Sequence, residues 1–137
     1  MTVMDLIARV RRENKIIKYK LEELERLENL CGISGINFEE KVQSSNNAKG
    51  KEQTYLNYIE YKDELQSYIN QAVGHRNRLN KLIDRCVKEP NMVEVMYQYC
   101  FENKTLQQIA DSMHYGKTSI YRMYRYAVDE MEQHWNK

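Results

Sequence analysis

The chain has 137 residues, 30% of them charged, and its 21 Lys and Arg against 20 Asp and Glu give a formal net charge of +1. This balance excludes a uniformly basic, histone-like protein. No apolar run approaches the length of a membrane span or forms the core of a signal peptide. Five glycines, one proline and no alternating apolar pattern predict an all-α fold.

The first predicted helix runs from Thr2 to about Leu30. Either Thr2 or Asp5 is a suitable residue to start it, and Gly32 is a suitable residue to end it. Its apolar stripe has three-four spacing, includes Glu13 and Lys20, and is widened by Ile7, Ile16, Leu21 and Leu30. The first half of the helix is basic from Arg9 to Lys20, and the second half is acidic. We favour a solvated helix; the alternatives are a second DNA-backbone contact or antiparallel pairing with an identical helix. The stripe comprises Val3, Leu6, Val10, Ile17, Leu24, Leu27 and Cys31.

The stretch from Gly32 to Gly50 is rich in Gly, Ser and Asn, which predicts a long loop. A second long helix is expected from about Lys51 to Val87. Its apolar residues alternate strictly between three and four, the spacing of helices that wrap around each other. Because this seam offers more apolar surface than one partner helix needs, we expect a homodimer or a higher homo-oligomer through the long helices. The seam comprises Tyr58, Tyr61, Leu65, Tyr68, Ala72, His75, Leu79, Leu82 and Cys86, and Ile59, Ile69, Val73 and Ile83 broaden it.

Pro90 marks the boundary between two predicted domains. Proline disfavours helical geometry at the preceding residue, so the long helix should end near Lys88. Asn91 with Glu94 has capping-box spacing and should open a supporting helix that closes at Phe101. The sequence therefore divides into a long-helix hairpin or coiled coil over residues 1–89 and a tri-helical domain over residues 90–137.

The segment from Thr105 to Ala127 reads TLQQIADSMHYGKTSIYRMYRYA. Thr105 and Gln108 form a predicted capping box, and Gly116 can cap a second helix after a three-residue turn. Two short helices so joined are typical of a helix-turn-helix that reads DNA. On the second helix Ile120, Met123 or Tyr124, and Ala127 or Val128 should point inward.

The outward residues of this segment are cationic or hydrogen-bonding, and no acid lies between Gly116 and Ala127. A solvated face usually mixes charges of both signs, so we predict double-stranded DNA as the partner and the helix 117–127 as the element in the major groove. The competing interpretation is a structural bundle with a merely solvated face. The predicted DNA-binding residues are Thr105, Lys117, Thr118, Ser119, Tyr121, Arg122 and Arg125.

No pattern in the sequence indicates catalysis, a metal or a cofactor. The cysteines are odd in number and widely spaced, which is typical of buried free thiols in a reducing cytoplasm. The three histidines form no metal-ligand spacing with them, and His75 in the seam is expected to be a hydrogen-bonded packing residue. We therefore expect a protein that is not an enzyme. The cysteines are Cys31, Cys86 and Cys100, and the other histidines are His114 and His134.

The run VMYQYCFENKTLQQIADSMHYGKTSIYRMYRYAVDEM resembles region four of bacterial sigma factors. The shared pattern is a tyrosine-bearing helix, a short turn, a polar cap before a helix with Ile-Ala, and a recognition helix ending near an alanine. The chain departs from the family pattern at two positions: Gly116 stands where serine is usual, and Tyr115 stands where a smaller apolar residue is usual. Nothing in the sequence resembles sigma region two. Across its whole length the chain is similar to phage-encoded late-transcription regulators of the RinA and ArpU kind, including a Val-Gln-Ser-Ser loop at 42–45.

The resemblance implies a phage or prophage product in the cytoplasm of a bacterial host, acting on late-gene transcription, with RNA polymerase as a second candidate partner. Two other functions compete with this interpretation. One is a phage DNA-packaging subunit whose long helices form a ring. The other is a polymerase-docking module without sequence-specific DNA readout.

Overall fold

A computed structural model describes residues 1–32 and 48–135, the first two residues of the second segment by their backbone alone. Five α-helices and no β-strand occur in these two segments, so the predicted all-α class is confirmed. None of the described helices is apolar over a length that would cross a bilayer. The helices are α1 (Val3–Cys31), α2 (Ala48–Cys86), α3 (Pro90–Cys100), α4 (Leu106–Met113) and α5 (Lys117–Gln133).

Both ends of α1 have the predicted chemistry. The Thr2 amide donates to Asp5 Oδ2 at 2.9 Å, and the Asp5 amide donates to Thr2 Oγ1 at 3.2 Å. The hydrogen bond from the Thr2 amide to the carboxylate, followed by that from the Thr2 hydroxyl, holds the pKa of Asp5 below its ordinary value. At the other end, Gly32 has a φ of 77°, the left-handed conformation that glycine adopts without a steric cost. Most of the predicted loop, residues 33–47 with the Val-Gln-Ser-Ser run, lies outside the described residues.

Three predicted boundaries are corrected by the structure. Helix α2 begins at Ala48, three residues before the predicted start, and ends at Cys86, two before Lys88. The N-cap of α3 is Glu89, whose carboxylate accepts a hydrogen bond from the Met92 amide at 3.0 Å. Pro90 therefore occupies the first helical position, where its fixed φ is suitable and its missing N–H costs nothing. The predicted cap at Asn91 is wrong.

The contacts divide the chain into two compact units, and the first comprises Met1–Lys15 and Gln71–Lys137. Its core takes fully buried side chains from all five helices, including Leu6 of α1, Ile83 of α2 and Met96 of α3. The predicted boundary at residue 90 coincides with the break between α2 and α3. The core itself crosses that break, because the start of α1 and the end of α2 bury apolar side chains among those of α3 to α5.

His75 lies in this first unit and is hydrogen-bonded, as the sequence predicts. Its Nδ1 lies 2.8 Å from Glu13 Oε1, and its Nε2 lies 3.5 Å from an Arg9 guanidinium nitrogen. Glu13 is buried, and a buried carboxylate needs such a partner. The hydrogen bond to His75 on α2 therefore explains why Glu13 can occupy a position in the apolar stripe of α1.

The second unit comprises Ile16–Asn70. Here α1 and α2 run antiparallel within one chain: Tyr58 donates to Glu28 at 3.3 Å, and Lys20 Nζ lies 5.7 Å from the Tyr61 ring centre. Each helix buries one stripe against the other, so residues flanking the stripe remain outside. Leu21 and Ile59, predicted to widen the apolar faces, are accordingly exposed. Val73, in the first unit, is exposed as well.

Candidate nucleic-acid interface

Helix α4 begins with the predicted capping box. Thr105 Oγ1 accepts from the Gln108 amide at 3.1 Å, and Gln108 Oε1 accepts from the Thr105 amide at 2.9 Å. Ile109 and Ala110 are buried on the inner face, while Thr105 itself is exposed. The box thus fixes the start of α4 and leaves Thr105 at the surface.

Replacing Thr105 with alanine should lower the free energy of unfolding by about 0.5–2 kcal/mol, because an N-terminal donor of α4 loses its acceptor. The matched control is Thr105→Ser, which keeps the hydroxyl at the cap. Urea unfolding followed by circular dichroism measures both. Equal stability of the alanine and serine variants would contradict this role of the hydroxyl.

The turn between α4 and α5 consists of His114, Tyr115 and Gly116. His114 adopts the left-handed conformation with φ 59° and ends α4, and histidine is among the residues enriched there. The Tyr115 amide donates to the Ala110 carbonyl at 3.0 Å. Its hydroxyl accepts from Asn91 Nδ2 at 3.2 Å. Asn91 therefore links α3 to the turn.

Helix α5 is anchored by one buried face. The buried residues are Ile120, Tyr124, Ala127, Val128 and Met131, which confirms the predicted inward positions. The sequence left open whether Met123 or Tyr124 points inward; Tyr124 is buried and Met123 is half-buried. Ala127 and Val128 both point inward. The opposite face of α5 is consequently held in a fixed orientation at the surface.

The residues predicted to touch DNA lie together on the outer side of α5 and at the cap of α4. All of them are exposed. Within residues 1–32 and 48–135, no side-chain hydrogen bond or ion pair involves Lys117, Thr118, Ser119 or Arg122. Arg125 lies 3.8 Å from Asp129 on the same helix, a solvent-exposed pair that contributes little stability. The exposed set is Thr105, Lys117, Thr118, Ser119, Tyr121, Arg122 and Arg125.

The beginning of α5 is open to ligands. Gly116 is the N-cap, and no side chain caps the helix there. A Cβ built on Gly116 would meet nothing within 4 Å. The unpaired amides of a first helical turn attract anions, and Lys117 is the first residue of that turn.

A group of polar contacts that the sequence did not predict orients this bundle. Arg11 donates from Nε to the Tyr99 carbonyl at 3.0 Å and from a terminal nitrogen to the Lys104 carbonyl at 3.3 Å. Its guanidinium also lies 3.9 Å from the Tyr99 ring centre. Asn14 donates to the Cys100 carbonyl at 3.0 Å. Arg11 and Asn14 therefore each satisfy one carbonyl at the end of α3. The contacts of Arg11 argue against a DNA role for this residue of the basic stretch.

Gln98 is a second unpredicted positioning residue, buried on α3. Its side-chain oxygen accepts from Ser112 Oγ at 2.9 Å and from Lys104 Nζ at 3.2 Å, and its nitrogen donates to Glu94 at 3.1 Å. The amide thus joins α3 to α4 and to the turn between them. No local pattern could have identified it, since its partners lie up to 14 residues away.

The buried ionisable groups of the bundle are structural. Burial raises the pKa of the Cys100 thiol to about 12, so this cysteine stays protonated and is no nucleophile at neutral pH. Burial also raises the pKa of Tyr124. Of the three predicted buried thiols only Cys100 is fully buried, whereas Cys31 and Cys86 are partly exposed. In the described part of the chain no three His, Cys, Asp or Glu side chains could hold a metal ion.

Charge is distributed unevenly between the two units. By sequence the first unit has 14 Lys and Arg against 10 Asp and Glu, a net charge of +4, and the second has 7 against 10, a net charge of −3. The near-neutral total therefore conceals a basic unit, and that unit includes α5.

The chain is thus an all-α protein with a three-helix bundle, α3 to α5, at its carboxyl end. It belongs to the family described as Protein of unknown function (DUF1492), whose model matches residues 33–132, which is 100 of the 137 residues. The match spans α2 to most of α5. No curated protein and no solved structure matches the chain.

Proposed function

We propose that this protein is a sequence-specific DNA-binding regulator of transcription that inserts the helix 117–127 into the major groove. The observation that carries the proposal is the exposed face of α5, which has three cations and no acid between Gly116 and Ala127. A face intended only for solvent would mix charges of both signs. The turn and the buried face of α5 fix the orientation of the helix that carries these side chains, as readout of base edges requires.

In a helix-turn-helix the first residues of the second helix contact base edges. Lys117, Thr118, Ser119, Tyr121 and Arg122 occupy those positions. Arg122 suits a bidentate contact to guanine, worth about 1–3 kcal/mol of discrimination against the wrong base. Thr105 and Arg125, at the edges of this surface, are assigned to phosphate.

One copy offers few cations to DNA, and nonspecific binding of such modules is typically weak, with Kd of about 10⁻⁴–10⁻⁶ M. We therefore propose that two copies act together through the long helices. Exposed Tyr19, Leu21 and Leu56 in the second unit support this, being 62%, 48% and 53% accessible. RNA polymerase is the alternative source of additional binding surface. The resemblance to phage late-transcription regulators supports a phage or prophage origin.

The test is selection of bound fragments from the source genome with the purified full-length chain. We expect enrichment of a defined sequence with two related half-sites. Retention of fragments without sequence preference, together with a large ring in light scattering, would replace the proposal with a packaging subunit. Capture of RNA polymerase without any DNA retention would replace it with a docking module.

A further inference from the structure

A second cationic surface lies in the first unit, away from the residues assigned to base contact. Arg78, Lys81 and Arg85 recur at three-four spacing on the exposed side of α2 and surround a cavity of about 340 Å³. Leu82 and Trp135 complete its lining. The described lining includes no carboxylate, so three positive charges face one cavity without neutralisation.

The arrangement around Trp135 holds the two arginines in place. The Arg78 guanidinium lies 4.3 Å from the Trp135 ring centre, a cation–π contact. Arg85 donates to the His134 carbonyl at 3.3 Å, and Trp135 Nε1 donates to the Met1 carbonyl at 2.8 Å. These contacts restrict both guanidiniums. They leave further N–H groups on each available, because a guanidinium has five donors.

Stabilisation of the carboxyl end of α2 does not explain this cluster. Cations favour the carboxyl end of a helix only within the last turn. Arg85 lies in that turn of α2, and Lys88 already donates to the Asp84 carbonyl there at 3.1 Å. Arg78 and Lys81 lie before the last turn and gain nothing from it.

We infer that Arg78, Lys81 and Arg85 form a second phosphate-binding site, which takes the backbone of the same duplex whose bases α5 reads. The inference rests on the proposed function and adds contacts that the α5 face alone does not supply. Trp135 follows the end of α5, so the site lies about 25 Å from Lys117 at roughly 1.5 Å per residue. That separation is less than one helical turn of duplex, about 34 Å, so a single duplex is long enough to reach both sites.

The experiment measures the salt dependence of duplex binding by the full-length Lys81→Gln, Arg85→Gln double variant. Two lost phosphate contacts should flatten the slope of log K against log salt by about two and weaken binding roughly tenfold per contact near 0.1 M salt. The loss should be equal for specific and unrelated duplexes. Hydroxyl-radical footprinting should lose protection on one flank and keep it at the central bases.

The matched control is the Arg26→Gln, Lys62→Gln double variant, which removes the same two residue types from exposed positions on the acidic unit. Its slope and footprint should equal those of the wild type. In the described part of the chain the Lys81 side chain makes no hydrogen bond, so the single variant Lys81→Gln should fold normally. It should flatten the slope by about one and therefore tests the site even if Arg85→Gln disturbs folding.

The possible results separate this site from the function on which it rests. An unchanged slope in both Lys81 variants, with sequence-specific binding intact, would overturn the second site and leave the reading helix standing. A wild-type protein that binds no duplex would overturn both. If the Lys81 variants lose RNA polymerase capture and keep unchanged DNA binding, the cluster binds an acidic protein surface instead of phosphate. That result would overturn the inference.

Discussion

Replacing Arg122 and Arg125 with alanine is expected to abolish sequence-specific retention of DNA. Loss of the bidentate arginine contact should cost about 1–3 kcal/mol of discrimination, a factor of roughly 5 to 150 in relative affinity. Loss of the phosphate contact should flatten the salt slope by about one. Fluorescence anisotropy with a selected fragment and a scrambled fragment, at several salt concentrations, measures both effects.

Two controls make this result specific to the face of α5. Arg122 and Arg125 are exposed, and Arg125 makes only a weak surface pair with Asp129, so the circular dichroism spectrum should stay helical. Arg26→Ala removes a cation from an exposed position of α1 and should leave DNA binding unchanged. Sequence-specific binding that survives the double substitution would contradict the proposed reading helix.

The local elements of the fold could be predicted from the sequence because their determinants are local. The capping box of Thr105 and Gln108, the Gly116 cap and the inward positions of α5 all follow from residues a few positions apart. The error at the start of α3 is also local. Both Glu89 and Asn91 have suitable side chains, and Pro90 decides between them by occupying the first helical position.

The contacts that orient the bundle could not be predicted, because they join residues far apart in the chain. Arg11 and Tyr99 are separated by 88 positions, and periodicity does not record which helix a basic residue will face. The same limit applies to Trp135 and Arg78, which meet through tertiary packing. The stretch of basic residues on α1 therefore included a packing residue, while a cationic cluster on α2 was missed.

Replacing Leu6 with alanine should destabilise the three-helix bundle, although Leu6 lies 84 residues before Pro90, where the bundle begins. Its side chain is fully buried in the common core with Ile83 of α2 and Met131 of α5. A fully buried leucine truncated to alanine costs about 2–5 kcal/mol. That is a large part of a total stability of roughly 5–15 kcal/mol. Chemical unfolding monitored by circular dichroism measures the loss.

The matched control is Leu30→Ala on the same helix, since Leu30 is 53% exposed and its truncation should change stability by no more than about 0.5 kcal/mol. Hydrogen bonds join the same two regions: the Val3 amide donates to Glu132 at 2.8 Å, and Trp135 donates to the Met1 carbonyl. The reading helix should therefore unfold together with the start of α1. Wild-type stability in Leu6→Ala would instead mean that α3 to α5 form an independent domain, which needs neither α1 nor the end of α2.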